Sequence, residues 1–278
     1  MELQFVKMHG IGNDFVLVDC MSSDTPEPGQ LARTLCRRRF GIGADGLLAV
    51  CPSEVADYRM RIFNADGSEA GICGNGLRCV GKYAYEHGIS RSIEPAVETG
   101  AGVRRLHLAI GSDNRVEAVT VNMGHAVTAP ALVPLNTVTA LINSPVENCG
   151  EELRLTALSV GNPHGVVFVS DLYGCKFELL GPRLECHEIW PEKANIEFVQ
   201  IIDSHHIAMR AWERGVGETL ACGSGACAAA AASVLNGLVK WPVEVQLSGG
   251  TLSISTDADG SLLMTGPATE VFSGTAGV

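Results

Sequence analysis

The chain has 278 residues, enough for two domains of ordinary size, and its 46% hydrophobic against 18% charged residues exclude an intrinsically disordered protein. The formal net charge is −11 and the lysines and arginines are scattered, which argues against a nucleic acid as a partner. Residues 1–7 lack the basic and apolar regions of a signal peptide, and no apolar run reaches the roughly 18 residues of a membrane-spanning helix. We therefore expect a cytoplasmic protein that binds neither nucleic acid nor membrane.

The first half of the chain predicts short strands, two helices and a polar loop. The strand at residues 58–63 alternates apolar and polar residues with the period of two that a half-buried strand has. The second helix is closed by Gly88, a residue that commonly ends helices. The predicted strands are residues 15–18, 47–50, 58–63, 103–110 and 116–121, the helices lie near 30–39 and at 77–87, and the loop covers 22–29.

The second half repeats this order and ends in an unusual helix. The helix predicted at residues 226–235 is apolar on every side except for Ser233. Such a helix has to be buried all round, which indicates that strands wrap around it. The boundary between the halves is expected within residues 122–134, where Pro130 and Pro134 interrupt the chain. The predicted strands of this half are residues 166–169, 197–202 and 207–212.

Two short motifs recur at a fixed separation of 149 residues (222 − 73). Cys73-Gly74-Asn75-Gly76 and Cys222-Gly223-Ser224-Gly225 each place a cysteine before glycines at the start of a predicted helix. Asn13 and Asn162, each after a glycine, have the same separation, as do Glu69 and Glu218. We interpret the recurrence as an internal duplication. A duplicated fold with one such cysteine per half can place two thiols on opposite sides of a central cleft.

The ten cysteines are expected to be free thiols in a reducing compartment. None forms a Cys-x-x-Cys pair, since the tightest spacings are six residues (Cys73 to Cys79) and five (Cys222 to Cys227). These spacings are unlike those of a structural zinc site, so we predict no bound metal. Apart from the motifs, the cysteines interpreted as inert and buried are Cys20, Cys36, Cys51, Cys149, Cys175 and Cys186.

The motif cysteines suit acid/base chemistry at a carbon atom. A cysteine at the start of a helix lies at the positive end of the helix dipole, which can lower a thiol pKa from about 8.5 to roughly 3.5–7.5. The N–H groups that follow suit a carboxylate. Two thiols facing one carbon indicate stereoinversion, in which one thiolate removes a Cα hydrogen and the other thiol returns a proton. This chemistry needs no cofactor, and none is expected. The alternative is a buried thiol before an ordinary glycine-rich turn.

Polar residues at equivalent positions are candidates for substrate binding. Asn64 and Glu213 each lie nine residues before a motif cysteine, and Arg214 could bind a second carboxylate with its planar guanidinium. Two alternatives stay open, since asparagines after glycines often form turns and Glu213 with Arg214 could form a surface ion pair. His164 is either an electrostatic neighbour of a thiol or a packed core residue.

Seven blocks of sequence, spread over the whole chain, resemble the diaminopimelate epimerase family. Together they are highly specific. The resemblance implies an α+β fold of two pseudo-symmetric domains, each with strands wrapped around a central helix. We predict one domain from residues 1–121 plus 268–278 and the other from residues 122–267. The blocks are Met8–Phe15, Phe63–Ala70, Cys73–Cys79, Gly161–His164, Ala194–Phe198, Trp212–Thr219 and Ala221–Cys227.

The resemblance also implies a reaction, the cofactor-independent interconversion of LL- and meso-diaminopimelate in lysine and peptidoglycan biosynthesis. Cys73 and Cys222 are implied as the acid/base pair, with His164 and Glu213 beside the thiols or the reacting amine. The enzyme is expected to act on this small amino acid as a homodimer. The implied substrate-binding residues are Asn13, Asn64, Gly74, Asn75, Asn162, Asn195, Glu213, Arg214, Gly223 and Ser224.

The chain departs from the family at two positions. Gly46, which the 149-residue separation pairs with Asn195, stands where some members carry a substrate-contacting glutamine, and Ser224 stands where threonine is frequent. Two other functions stay open. One is a different amino-acid racemase on the same scaffold, acting for example on histidine or proline. The other is a thiol redox protein that toggles a Cys73–Cys222 disulfide, which the lack of a Cys-x-x-Cys motif disfavours.

Overall fold

The computed structural model of the protein describes residues 2–22, 26–148 and 151–278. The chain forms two compact units, one of Met1–Asn122 and Thr265–Val278 and the other of Met123–Met264. Each unit combines helices with mainly antiparallel strands, which confirms the α+β class expected from the sequence. Within the described ranges, no helix is both long and apolar enough to cross a membrane.

The first unit draws its elements from both ends of the chain. They are β1 (Glu2–Gly10), β2 (Asn13–Asp19), α1 (Pro28–Leu35), β3 (Gly46–Cys51), β4 (Tyr58–Asn64), β5 (Glu69–Ala70), α2 (Gly74–Glu86), β6 (Ala96–Thr99), β7 (Gly102–Ile110), β8 (Val116–Gly124) and, at the end of the chain, β18 (Thr269–Gly277). Parallel pairing joins β2 to β3 and β4 to β6. The final strand, β18, pairs antiparallel with β1.

The second unit is built from the middle of the chain. Its elements are β9 (Ser144–Asn148), β10 (Glu151–Ser159), β11 (Pro163–Phe168), α3 (Phe177–Glu185), β12 (Asn195–Ile201), β13 (His206–Glu213), β14 (Gly217–Thr219), α4 (Gly223–Leu235), β15 (Val243–Leu247), β16 (Gly250–Thr256) and β17 (Leu262–Gly266). Here β11 is parallel to β12, and β13 is parallel to β15.

The strand registers of the two units are related by the 149-residue separation. Phe15 on β2 pairs with Gly46 on β3, and their equivalents, His164 on β11 and Asn195 on β12, are paired in the same way. The two longest helices, α2 and α4, have 13 residues each and start 149 residues apart. The duplication inferred from the sequence therefore extends to the hydrogen-bonded pairs of the backbone.

A helix lies at the centre of each unit. Ala226, Ala228, Ala229 and Ala230 on α4 are fully buried, and this helix packs against β10, β11, β12, β13, β15 and β16. In the first unit, α2 packs against β1, β2, β3, β4 and β7. The prediction of strands wrapped around a central helix is thus confirmed within each unit. Small alanine side chains on α4 let the surrounding strands approach closely.

Several predicted elements differ from those observed. The first helix ends at Leu35 rather than near residue 39, because the chain turns back and Gly43 N–H donates to the Leu35 carbonyl. The sequence predictions missed α3, which contains Pro182. The strand predicted at 166–169 starts earlier and ends at Phe168.

The thiols outside the motifs are not all buried. Cys36 is buried, and Cys20, Cys51 and Cys175 are half-buried. Cys186 is exposed, so its interpretation as a buried thiol was wrong; it is the residue that ends α3. Cys149 and residues 23–25 of the predicted loop lie outside the described residues.

Candidate active site

Cys73 is the N-cap residue of α2 in the first unit. Its Sγ accepts a hydrogen bond from the Gly76 N–H at 3.4 Å. The thiol in turn donates to Asn13 Oδ1 at 3.8 Å, and the same oxygen accepts from Asn75 Nδ2 at 3.1 Å. These contacts bring three of the predicted site residues together. We call Cys73, Asn13 and Asn75 the Cys73 site.

A charged network fixes the orientation of Asn13. Its Nδ2 donates to Asp45 Oδ2 at 2.8 Å, so its oxygen faces Cys73. Asp45 is paired with Arg38, and Arg38 and Lys7 both bind Asp14. Burial would raise the pKa of Asp14, but hydrogen bonds from Arg38 and Lys7 outweigh burial and lower the pKa to about 2. The Cys73 site is therefore held by a network of ion pairs in which Asp14 is stabilised in its ionised form.

Asn64 lies apart from these contacts, at the end of β4. It is exposed, and its Nδ2 donates to Ser68 Oγ at 2.9 Å within its own turn. Gly46 lies opposite Asn64 in the register of β3 and β4. A Cβ atom placed on Gly46 would lie 2.7 Å from the Phe63 carbonyl oxygen. The backbone thus leaves no room for a side chain where some family members carry glutamine.

Cys222 has the equivalent N-cap position on α4 in the second unit. Its Sγ accepts from the Gly225 N–H at 3.3 Å and lies 3.7 Å from Ser224 Oγ. Burial raises the pKa of Cys222 well above its usual value, and the carboxylates of Glu213 and Glu197 raise it further. The expected lowering of the thiol pKa is therefore wrong for Cys222. Desolvation and two negative charges outweigh the helix dipole and the Gly225 N–H.

Glu213 and Arg214, at the end of β13, bond to different partners. The Glu213 carboxylate accepts hydrogen bonds from Thr219 Oγ1 and the Cys222 thiol. Burial raises the pKa of Glu213, and these two hydrogen bonds oppose the rise. Arg214 is exposed; its N–H donates to Asn195 Oδ1 at 2.8 Å and its guanidinium donates to a backbone carbonyl at 3.1 Å.

His164 is buried between two oxygen atoms. Its Nδ1 lies 2.8 Å from Glu197 Oε1, and its Nε2 lies 2.9 Å from Asn162 Oδ1. Both His164 and Glu197 are 0% exposed. We call Cys222, Glu213, Asn162, His164 and Glu197 the Cys222 site.

The sequence predictions did not single out Glu197, although it belongs to one of the seven blocks. Glu197 and His164 are 33 residues apart and meet only because β11 and β12 are parallel neighbours. A comparison of the two halves could have revealed Glu197, because the residue at the equivalent position of the first half, Leu48, is apolar. Across the described part of the chain, no group of three or more His, Cys, Asp or Glu side chains is arranged to hold a metal ion.

The sequence profile described as "Diaminopimelate epimerase" matches residues 5–129 and 156–271. The chain belongs to the diaminopimelate epimerase family. The diaminopimelate epimerase of Leptospira biflexa is 45% identical over 276 residues and is covered to 99%, as is this chain. That of Moorella thermoacetica is 48% identical, with 98% of each chain covered. The resemblance noted in the sequence is thereby confirmed.

Among solved structures, the chain is similar to a phenazine biosynthesis protein of the PhzF family from Bacillus anthracis. The TM-score is 0.72 at 18% identity, and both chains are covered to 100%. At this identity the similarity shows a shared fold and carries no information about substrate.

Proposed function

We propose that this protein is a cofactor-independent epimerase that interconverts LL- and meso-diaminopimelate, a step of lysine and peptidoglycan biosynthesis. Membership of the diaminopimelate epimerase family supports this reaction and substrate. The observation that carries the proposal is the pair of N-cap cysteines. Each stands at the start of the central helix of its unit, and each sulfur accepts a hydrogen bond from the N–H three residues further on.

In this mechanism Cys73 and Cys222 are the acid/base pair. One thiolate removes the Cα proton and the other thiol delivers a proton to the opposite face of the carbon. Since burial, with two nearby carboxylates, raises the pKa of Cys222, this residue keeps its proton in the free enzyme and begins as the acid. Cys73 then begins as the base. After this step Cys222 is the thiolate and Cys73 carries the proton, so the roles are reversed for the opposite direction, and Glu213, hydrogen-bonded to Cys222, is the neighbouring group that can share the Cys222 proton.

The reacting carboxylate is assigned to the starts of the two central helices. The Cα–H of an amino acid is very weakly acidic, so negative charge that develops on the carboxylate has to be stabilised. N–H groups of a first helical turn, which generally lack partners within the helix, supply that stabilisation. The groups proposed for this role are the N–H donors of Gly74, Asn75, Gly223 and Ser224.

The second amino-acid head of the substrate needs its own polar partners. The guanidinium of Arg214 has the planar shape that binds a carboxylate through two hydrogen bonds. Its exposure leaves it accessible to substrate. The residues proposed to bind this head or to line the site are Asn13, Asn64, Asn162, Asn195, Glu213 and Arg214, with His164 next to the thiols.

The test is exchange of the substrate α-proton with solvent. Reduced enzyme is incubated with LL-diaminopimelate in heavy water, and the α-proton signal and the meso product are followed by NMR. Epimerisation is expected in the wild type and is expected to be abolished in both Cys73→Ala and Cys222→Ala. Cys186→Ala, which removes an exposed thiol, is the matched control and should retain activity. Full activity in either motif variant would remove the two-thiol mechanism.

The same assay separates the alternatives. Racemisation of a monocarboxylic amino acid, with none of diaminopimelate, would favour a different racemase on this scaffold. A redox protein would need both thiols for electron transfer and would not exchange the α-proton.

We place the enzyme in the cytoplasm, because it uses reduced thiols, and we expect it to be a homodimer of two copies of the whole chain. Light scattering of the purified protein tests the dimer, and a mass of one chain would contradict it.

A further inference from the structure

Glu197 is a buried carboxylate to which the proposed mechanism gives no role beyond helping to raise the pKa of Cys222. The residue is 0% exposed, and one oxygen, Oε1, bonds with His164 Nδ1. The other oxygen, Oε2, is fully buried and has no hydrogen-bond partner within the described residues. Burying a carboxylate with one oxygen unsatisfied costs free energy, so packing alone does not explain this residue.

The first unit shows what packing alone requires at this position. Subtracting 149 from Glu197 and His164 gives Leu48 and Phe15, which are also buried. The side chains of Leu48 and Glu197 occupy equivalent positions, each next to the first turn of the central helix of its unit. A Cβ atom placed on Gly76 would lie 2.9 Å from Leu48 Cδ2, and one on the equivalent Gly225 would lie 2.7 Å from Glu197 Oε1. An apolar pair therefore fills this site in one unit, and an ionisable pair replaces it in the other.

The hydrogen-bond geometry of His164 indicates a function for the pair of His164 and Glu197. Both ring nitrogens face oxygen atoms, at 2.8 Å for Nδ1 and 2.9 Å for Nε2. Carboxylate and amide oxygens accept hydrogen bonds, so a ring nitrogen that bonds to either must carry a proton, and Nδ1 is the donor to Glu197. The same contact fixes the plane of the ring and thereby the position of Nε2 beside Asn162. In active sites a carboxylate that accepts from one ring nitrogen of a histidine commonly sets the ring's orientation.

We propose that Glu197 is a positioning residue, whose carboxylate accepts a hydrogen bond from His164 Nδ1–H and so keeps a proton on Nδ1 and fixes the orientation of that ring in the Cys222 site. Glu197 acts through His164 and does not touch substrate. The kinetic part of this inference rests on the proposed epimerase function. The part that concerns the proton on His164 does not.

The experiment combines spectroscopy with kinetics on four variants of the whole protein. Glu197→Leu introduces the residue that the first unit carries at this position, and Glu197→Gln keeps an acceptor oxygen without the charge. Glu244→Leu and Glu244→Gln are matched controls, because Glu244 lies on β15 between the buried Val243 and Val245 and so points away from α4. Histidine nitrogens are labelled with 15N, and His164→Phe identifies the His164 signals.

The expected result in wild-type protein is a slowly exchanging Nδ1–H on His164. This signal should survive in Glu197→Gln and in both Glu244 controls, and it should vanish in Glu197→Leu. Glu197→Leu should remain folded, with kcat lowered roughly 10- to 100-fold and KM changed by less than about twofold. Glu197→Gln should recover most of the lost kcat.

Three results would overturn the proposal. One is a wild-type His164 without a proton on Nδ1. Another is a folded Glu197→Leu variant with the kcat of the wild type. The third is a Glu197→Gln variant that keeps the Nδ1–H signal and loses as much activity as Glu197→Leu. If wild-type protein epimerises nothing, the proposed function fails, and the NMR comparison still decides whether Glu197 holds the His164 proton.

Discussion

Substitution of the equivalent glycines Gly76 and Gly225 by alanine tests the packing around Glu197, because the new methyl group contacts an apolar side chain in one unit and a carboxylate in the other. In Gly76→Ala the new Cβ meets the methyl group Leu48 Cδ2 at 2.9 Å. In Gly225→Ala it meets Glu197 Oε1 at 2.7 Å and Cys222 Sγ at 3.0 Å. A leucine methyl can rotate away. The Glu197 oxygen can move only by loosening its hydrogen bond to His164.

The magnitudes follow from these contacts. Overpacking a core by one methyl group costs about 1–3 kcal/mol, and replacing glycine by alanine in a helix returns up to about 1 kcal/mol. Gly76→Ala should therefore destabilise its unit by about 0–2 kcal/mol. Gly225→Ala carries the additional cost of a weakened buried hydrogen bond, about 1–3 kcal/mol. We expect Gly225→Ala to be the more destabilising substitution by that difference.

The assay is hydrogen exchange resolved by peptide, since it reports the opening free energy of each unit separately. The difference between the two variants should shrink when Gly225→Ala is made together with Glu197→Leu, because the contact is then a methyl group in both units. Equal losses of stability in the two single variants, or a larger loss in Gly76→Ala, would refute the reasoning.

Three further substitutions give separate expectations. Because the pKa of Asp14 is lowered to about 2, the contribution of this carboxylate to stability is present above the usual pKa of 3.8 and is lost as the pH falls through about 2. Asp14→Asn should therefore destabilise the protein by about 1–2 kcal/mol at pH 7, as measured in thermal melts. A difference in stability that persists at pH 2 would contradict this. Gly46→Gln should lower the melting temperature and should not lower KM, because the new Cβ atom would clash with the Phe63 carbonyl oxygen. A stable variant with a lower KM would show that the backbone adapts. Glu213→Gln removes a charge that raises the pKa of Cys222, so the alkylation of Cys222 by iodoacetamide, measured by peptide mass spectrometry, should set in at a lower pH than in wild type. An unchanged alkylation curve would mean that the charge of Glu213 does not raise that pKa.

Much of the fold could be predicted from the sequence because the duplication preserves spacing. The N-cap cysteines, the wholly apolar helix and most strands follow from local patterns that need no tertiary information. The missed helix α3 was also within reach, since adding 149 to the bounds of α1 gives 177–184, and α3 covers Phe177–Glu185. Pro182 disfavoured the prediction of a helix there, because proline usually interrupts a helix.

The pKa of the thiol in the Cys222 site could not be predicted from such local patterns. The effect of the helix dipole on a thiol can be predicted from the residues next to the cysteine alone. The pKa of Cys222 is set by burial and by carboxylates on two other strands, Glu197 on β12 and Glu213 on β13. Their approach to the thiol depends on the register of the antiparallel strands β12 and β13, which a single sequence does not specify.

The pairing of β18 with β1 has a consequence for the order in which the chain is made. All of the second unit is synthesised, and emerges from the ribosome, ahead of residues 265–278, so most of the second unit can fold before the last strand of the first unit is available. Until then the nascent first unit keeps an open edge along β1, a place where strands of other chains can add. Shortening the chain at its C-terminal end should therefore promote aggregation through the unit that is synthesised first.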